Sequence, residues 1–471
     1  MRSQLLINGQ WRDSKSSEKV VDKYLLEPFC EMALASLEDV DEAIAGAEIA
    51  QKKIQLSPYE RYEILTKTAE IINSKRTQFI ELMIKESGFT LLDCENELDR
   101  TEQTFRLCAE EAKRITGDII PMDAAPGVKN RLGFTIRVPR GVVCAITPFN
   151  SPFNTVAHKI GPALAAGNSV VLKPAGYTPL CAVQLCDALL EAGLPPELIS
   201  LVHGPGSVVG RALLADKRIS FYTFTGSTNV GLEIQKAARL RGTSLELGSI
   251  ATTIICDDAD MNSAISKTLR ASFRKAGQVC TSTQRILVSN NIKDAFIENF
   301  LNETKKLKFG DPKDSDTFVG PMISPLEAER ANTWIVEAVN QGANVLTGGK
   351  CVKSIVEPTI ITNVKPSMRV VCEEIFAPAV SIIPFESLSS AFETANSTPY
   401  GLAVGIFTKD LSKAMHATSK LQFGTIHINE PSSSRVDQMP FGGVKDSGYG
   451  HEGPLYAIRE MTEERLITMS Y

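Results

Sequence analysis

The chain has 471 residues, 43% hydrophobic and 22% charged, with a formal net charge of -5. This is an ordinary globular composition, with apolar material for two or three domains. The mild acidity argues against wholesale nucleic-acid binding and leaves room for a local anion site.

The opening residues, Met1 to Trp11, read as neither a secretory nor a transit segment, and no later stretch approaches a membrane-spanning apolar run, so a cytoplasmic protein is expected. Ser57, Pro58 and Glu60 form a capping-box signature. The apolar rhythm that follows predicts helix as far as Ser87, where Gly88 ends it. Thr178-Pro179 starts another helix, closed by Gly193 and Pro195. Short β-branched runs at Gly141–Thr147, Ser169–Lys173, Leu198–His203 and Ser220–Thr225 alternate with helices. That alternation predicts a doubly wound parallel α/β sheet. It resumes after Gly248, with strand at Ile250–Cys256, helix at Met261–Lys275, strand at Ile286–Val288 and further pairs to Ile428, which predicts a second α/β domain. Gly117 to Arg137 and the tail from Tyr456 break the pattern and read as a separate β arm. The 10 Cys contain no CxxC pair, and Cys144, Cys181, Cys186 and Cys256 lie in apolar runs suited to buried thiols. The 5 His have no zinc spacing, so no metal is expected.

Several short segments carry chemistry. Phe224-Thr-Gly226-Ser227 joins a strand to a helix, a turn that aims N–H groups and a helix dipole at an anion. By itself it reads first as a tight βα turn with Gly at positive φ. A GxGxxG fingerprint is absent, because Gly204, Gly206 and Gly210 have the wrong spacing. Glu246 between two Leu is either a strand-end surface residue or a buried carboxylate. Cys280 sits in the small-residue turn Gly277-Gln-Val-Cys. Ile146-Thr147-Pro148-Phe149-Asn150 adds an amide donor after a strand, and Lys173-Pro174 a cation at another strand end. Glu374 and Phe376 add an acid and an aromatic.

Seven motifs then fall in one order: TPFN at 147–150, KPA with TPL at 173–180, FTGS at 224–227, LELG at 245–248, GQ-x-C at 277–280, EEIF at 373–376 and PFGG-x-K-x-SG at 440–448. Over essentially its whole length the chain resembles an aldehyde dehydrogenase. The resemblance implies an α/β fold with a Rossmann-like NAD(P)-binding domain (1–116 and 138–247) and a second α/β catalytic domain (248–448). An oligomerisation arm (117–137 and 449–471) would give a homodimer or homotetramer. It also implies Cys280 as nucleophile, Asn150 with the Cys280 N–H as oxyanion hole, and Glu246 as general base. NAD or NADP would lie along Ile146, Thr147, Pro148, Phe149, Lys173, Ala175, Gly176, Gly206, Gly210, Phe224, Gly226, Ser227, Leu247, Glu374 and Phe376.

Two departures bear on specificity. Gly176 stands where NAD-preferring relatives often carry a Glu that repels a 2′-phosphate, so both cofactors stay open. Ser249 follows Leu-Glu-Leu-Gly, a variant commoner in members acting on small phosphorylated, phosphonate or sulfonate aldehydes. Arg106, His158 and Arg435, with Arg285 and Phe441 beside them, resemble positions at the substrate mouth of relatives that take anionic aldehydes. Surface ion pairs are the alternative for each of the basic residues. Sulfolactaldehyde, phosphonoacetaldehyde, succinate semialdehyde, lactaldehyde and glyceraldehyde 3-phosphate all remain candidates. A CoA-acylating relative would usually lack Glu246, and an inactive one would lack Cys280, Glu246 or Asn150.

Overall fold

The structure, a computed structural model, describes residues 2–471. Val142–Ile146 and Ser169–Lys173 are almost wholly buried apolar runs, as parallel strands covered on both faces must be. They form the middle of an eight-stranded sheet. Its parallel strands run in the order Ile199–Leu201, Ser169–Lys173, Val142–Ile146, Ile219–Thr225, Gly242–Glu246. The antiparallel edges are Leu5–Ile7 with Gln10–Arg12 on one side and Gly448–Tyr449 on the other. Of the parallel strands the chain lays down Val142–Ile146 first, moves outward on one side, then returns to the other side with Ile219–Thr225. This reversal opens a crevice at the carboxyl ends of those two strands, where open α/β sheets bind ligands.

A second sheet of seven strands, six of them parallel, has Thr252–Ile255 and Arg285–Ser289 as neighbours near its centre. Each sheet has apolar cores on both faces. The mixed α/β class expected from the alternation is the one observed. No helix of the described residues is long and apolar enough to cross a membrane.

Some local expectations shift. The helix expected to run to Ser87 breaks at Lys75 into Pro58–Ser74 and Arg76–Ser87, although neither Gly nor Pro marks the break. The Ser57–Glu60 capping box forms in both directions and is worth about 1 kcal/mol. Thr178 makes no side-chain cap to Pro179–Glu191; the buried Glu86 carboxyl instead accepts from the Leu180 and Cys181 amides at 2.7 and 2.8 Å. In the arm, Arg131–Pro139 pairs antiparallel with Thr462–Ser470 along nine residues, and Ile119–Ile120 adds a third strand. The arm was expected to resume at 449. However, Gly448–Tyr449 edges the first sheet, and Pro454–Glu460 packs on the helices Leu91–Ala112 and Asn154–Ala165. Ile458 and Met461 need that burial and obtain it in the first core.

Candidate active site

The turn that carries Cys280 is held in an unfavourable backbone conformation. After the helix Met261–Phe273, Lys275, Ala276 and Gly277 take φ of 53°, 53° and 69° in succession. Only Gly adopts such angles freely, so the surroundings must impose them on the other two. The Lys275 amide donates to Asp93 Oδ2 at 3.0 Å, and its Nζ donates to Glu97 Oε2 at 2.6 Å and to the Asn150 carbonyl at 3.2 Å. A Cβ on Gly277 would lie 2.1 Å from the Ala377 carbonyl oxygen. The same Lys275 therefore fixes both the Cys280 turn and the backbone of Asn150. Asn150 Nδ2 donates to the Gln278 carbonyl at 2.9 Å, which brings the amide against this turn.

Glu246 ends the strand Gly242–Glu246 and is buried beside Cys280. Its Oε1 has no hydrogen-bond partner among the described residues. Burial first, then the Glu452 charge, raises the Glu246 pKa, while contact with Cys280 opposes the rise. Burial and the Glu246 charge hold the Cys280 thiol well above its ordinary range. The alternative of a strand-end surface residue is thus excluded for Glu246. Behind it, buried Glu452 accepts from Lys159 Nζ and Thr225 Oγ1, both at 3.1 Å, and from Arg435 Nη2 at 2.8 Å. Burial would raise the Glu452 pKa, but Lys159 and Arg435 bring it well below the usual range.

On one side of the Cys280 turn, a cavity of about 280 Å³ is lined by Pro148, Phe149, Asn150, Gly226, Ser227, Leu247, Cys280, Glu374 and Phe376, all predicted from sequence, together with Tyr177 and others. Ser227 is the N-cap of Thr228–Ala238, and its side chain makes no capping bond. Glu374 Oε1 accepts from the Ser249 amide at 2.8 Å, and burial pushes its pKa up to about 7. Phe376 meets Phe149 edge-on at 6.1 Å between centroids. Ile146, Thr147 and Lys173 stand at the carboxyl ends of adjacent strands, tied by Thr147 N to Lys173 O at 3.2 Å. Ala175 and Gly176 form the loop beyond them. Gly206 and Gly210 bound a short π-helical turn, with open space at both α-carbons. Phe224 offers only its backbone, since its ring is in the core against Gly226.

A second cavity of about 250 Å³ meets the Cys280 turn at Arg274 and Lys275; Arg100, Lys267, Arg270 and Arg435 also line it, and they outnumber the carboxylates Asp93, Glu97 and Glu430. Arg274 Nε and Nη2 reach only Ser433 Oγ, at 3.2 and 2.7 Å, and no carboxylate of the described residues pairs with it. Burial, then the Arg100 charge, lowers its pKa to about 10.

This geometry corrects the substrate set. Arg285 is sealed in the second sheet, donating to Thr252 Oγ1 and to the Thr394 and Ala395 carbonyls, so it is a structural residue. Arg106 pairs with Glu102 and lines neither cavity; Arg100, on the same helix, does line the second one. His158 is buried, with Nε2 2.9 Å from Asp437 Oδ1, and burial lowers its pKa, so it is no cationic ligand at neutral pH. Asp437 also accepts from Arg100 at 2.7 and 3.1 Å, anchoring that guanidinium. Phe441 is buried beneath the Arg435 guanidinium, 3.9 Å from its ring centroid, and lines neither cavity. Of the five, Arg435 alone lines the basic cavity. Sequence reasoning missed Arg100, Arg274, Lys159, Glu452 and Asp437. Arg274-Lys275, adjoining the Gly277-Gln-Val-Cys280 turn, was the available signal.

Comparison with known proteins bears on this arrangement. The aldehyde dehydrogenase family profile matches residues 11–467. The chain belongs to the aldehyde dehydrogenase family. It is 46% identical to a 3-sulfolactaldehyde dehydrogenase of Priestia aryabhattai, covering 99% of this chain and 98% of that protein. The crystal structure of aldehyde dehydrogenase 21 from Physcomitrella patens, in complex with the reaction product succinate, superposes with a TM-score of 0.97 at 34% identity, covering 100% of this chain and 98% of that one. A glyceraldehyde-3-phosphate dehydrogenase of Methanocaldococcus jannaschii, complexed with NADP, gives 0.93 at 37% identity over 97% of this chain and all of that one. This aldehyde dehydrogenase therefore oxidises a small aldehyde with NAD or NADP.

Proposed function

We propose that this aldehyde dehydrogenase oxidises a small aldehyde bearing a sulfonate, phosphonate, phosphate or carboxylate, with 3-sulfolactaldehyde the leading candidate. The observation that carries the reading is Arg274, a guanidinium without a carboxylate partner among the described residues, beside Arg100 and Arg435. A half-buried cation left unpaired is costly, and an anionic substrate supplies the missing partner. The 46% identical relative is named for such a substrate.

Cys280, a thiol at rest, loses its proton to solvent and attacks the aldehyde carbon as thiolate, and the oxygen that gains charge is held by Asn150 Nδ2 and the Cys280 N–H. Glu246 is the base that takes a proton from water as that water attacks the thioester carbonyl on Cys280, releasing the carboxylate. Its raised pKa makes the ionised carboxylate a stronger proton acceptor. NAD or NADP supplies the hydride acceptor. The free Ser227 hydroxyl at a helix N-terminus and the unpartnered Thr147 Oγ1 fit its polar parts. Ser227 and the Gly226 turn would hold the pyrophosphate, Lys173 the adenine ribose, and Glu374 the nicotinamide ribose.

The arm exposes Ile119, Leu132, Ile136, Leu466 and Met469, which suits pairing with a second copy as homodimer or homotetramer. Ten unpaired cysteines suit a reducing compartment, so the cytoplasm is the proposed location. The test is a panel of matched aldehydes, sulfolactaldehyde against neutral lactaldehyde and glyceraldehyde, with NAD and with NADP, read as nicotinamide reduction. The anionic member should have the higher kcat/KM; a preference for the neutral members overturns the reading.

A further inference from the structure

A third cavity lies at the amino ends of the central strands of the first sheet, the end opposite the Cys280 crevice, and nothing in the catalytic arrangement uses it. It has a volume of about 500 Å³, within the range of small-molecule sites. It is lined by Gly141, Gly167 and Asn168, just before the two central strands, and by Pro139 and Arg140, where the chain leaves the arm. One wall is apolar, with Ile54, Leu56, Ile64, Leu65, Leu164 and Leu194.

The other wall is cationic. The Arg61 guanidinium has no hydrogen-bond or ion-pair partner among the described residues, its Nε is fully covered, and burial lowers its pKa. Its Nη1 lies against the turn at Gly167, where φ is +84° and a Cβ would be 2.5 Å away. Arg140 stands beside it, donating to the Glu460 carbonyl and to Glu463. No Asp or Glu lines the cavity. A partly covered guanidinium without a counter-charge is costly, and an anionic ligand would complete the pair.

We propose that this cavity binds a small anionic amphiphile, with a carboxylate or sulfate-type head on Arg61 and an apolar body against the Leu and Ile wall. The proposal is independent of the aldehyde that the catalytic site takes. The head donates nothing and accepts from two guanidinium N–H groups, while the tail displaces water from apolar surface. A neutral alcohol of equal length gains only the second term.

The test is titration of the full-length protein with octanoate, octyl sulfate and octanol by calorimetry. Octanoate and octyl sulfate should each bind at one site per chain, and octanol at least about tenfold more weakly, the scale of a lost charge-assisted hydrogen bond. Arg61→Gln should weaken both anions by about tenfold or more, and Leu65→Trp should fill the cavity and remove binding. Arg274→Gln, at the substrate side of Cys280, should leave binding unchanged. Absence of saturable binding overturns the proposal. So does equal binding of octanol, or loss of binding in Arg274→Gln with retention in Arg61→Gln, which would place the anions in the catalytic cavity. A Leu65→Trp protein altered only in oligomeric state, with no ligand bound by the parent, would assign the cavity to contact between copies and also overturn it.

Discussion

Arg274→Gln tests the proposed role of charge in the basic cavity beside the Cys280 turn. Glutamine keeps a donor within reach of Ser433, which now receives Nε and Nη2, and removes the positive charge. Although burial lowers the Arg274 pKa to about 10, the group stays charged at neutral pH, so the wild type has a full charge to lose. A hydrogen bond to a charged group is worth about 1.5–3 kcal/mol. At about 1.36 kcal/mol per tenfold, kcat/KM for an anionic aldehyde should fall by roughly 10- to 150-fold. If the contact is equally strong in ground and transition states, the loss appears in KM with kcat nearly unchanged. Steady-state nicotinamide reduction with sulfolactaldehyde and with lactaldehyde measures both parameters, and the neutral aldehyde should change by no more than about threefold. An equal fall for the two substrates, or no fall for either, refutes the assignment of Arg274 to the anion.

Because Glu246 raises the Cys280 pKa, Glu246→Gln should lower it and speed alkylation of Cys280 by iodoacetamide near pH 8; slower alkylation would mean that Glu246 promotes the thiolate instead. Lys159→Met removes one partner of buried Glu452 and should cost about 3 kcal/mol, the lower end of the usual range because Arg435 and Thr225 remain; unchanged denaturant unfolding contradicts the buried network. Arg285→Gln should destabilise by about 1–3 kcal/mol, leaving the Thr394 and Ala395 carbonyls short of donors, with KM intact; a selective KM rise for anionic aldehydes would restore it to the substrate site.

The sequence was most legible where chemistry is local. Asn150, Gly226-Ser227, Glu246, Cys280 and Glu374 each lie in a short motif at a strand end or turn, and the fold brings those motifs to one crevice. The double alternation of strands and helices likewise follows from apolar runs that must be covered on both faces. The charged groups were harder, because their meaning depends on partners far along the chain. Arg106 and Arg100 share a helix, and only their direction separates an ion pair with Glu102 from a place in the basic cavity. His158 looked like an anion ligand until Asp437, 279 residues away, occupied it. Glu452 lies outside every motif, yet it receives Lys159 and Arg435 in the core. The break at Lys75 and the return of 449–461 to the first core are packing outcomes with no Gly or Pro to announce the first of them.

The central claim is that the aldehyde carbon passes through a thioester on Cys280 which Glu246 helps water to cleave. The most direct measurement is mass spectrometry of Glu246→Gln protein quenched after mixing with sulfolactaldehyde and NAD or NADP. The account predicts about one reduced nicotinamide per site in a rapid burst, with steady turnover slowed by roughly 10²-fold or more and an acyl adduct on the peptide that contains Cys280. Sustained turnover without an adduct, or an adduct on another thiol such as the exposed Cys372, would contradict it.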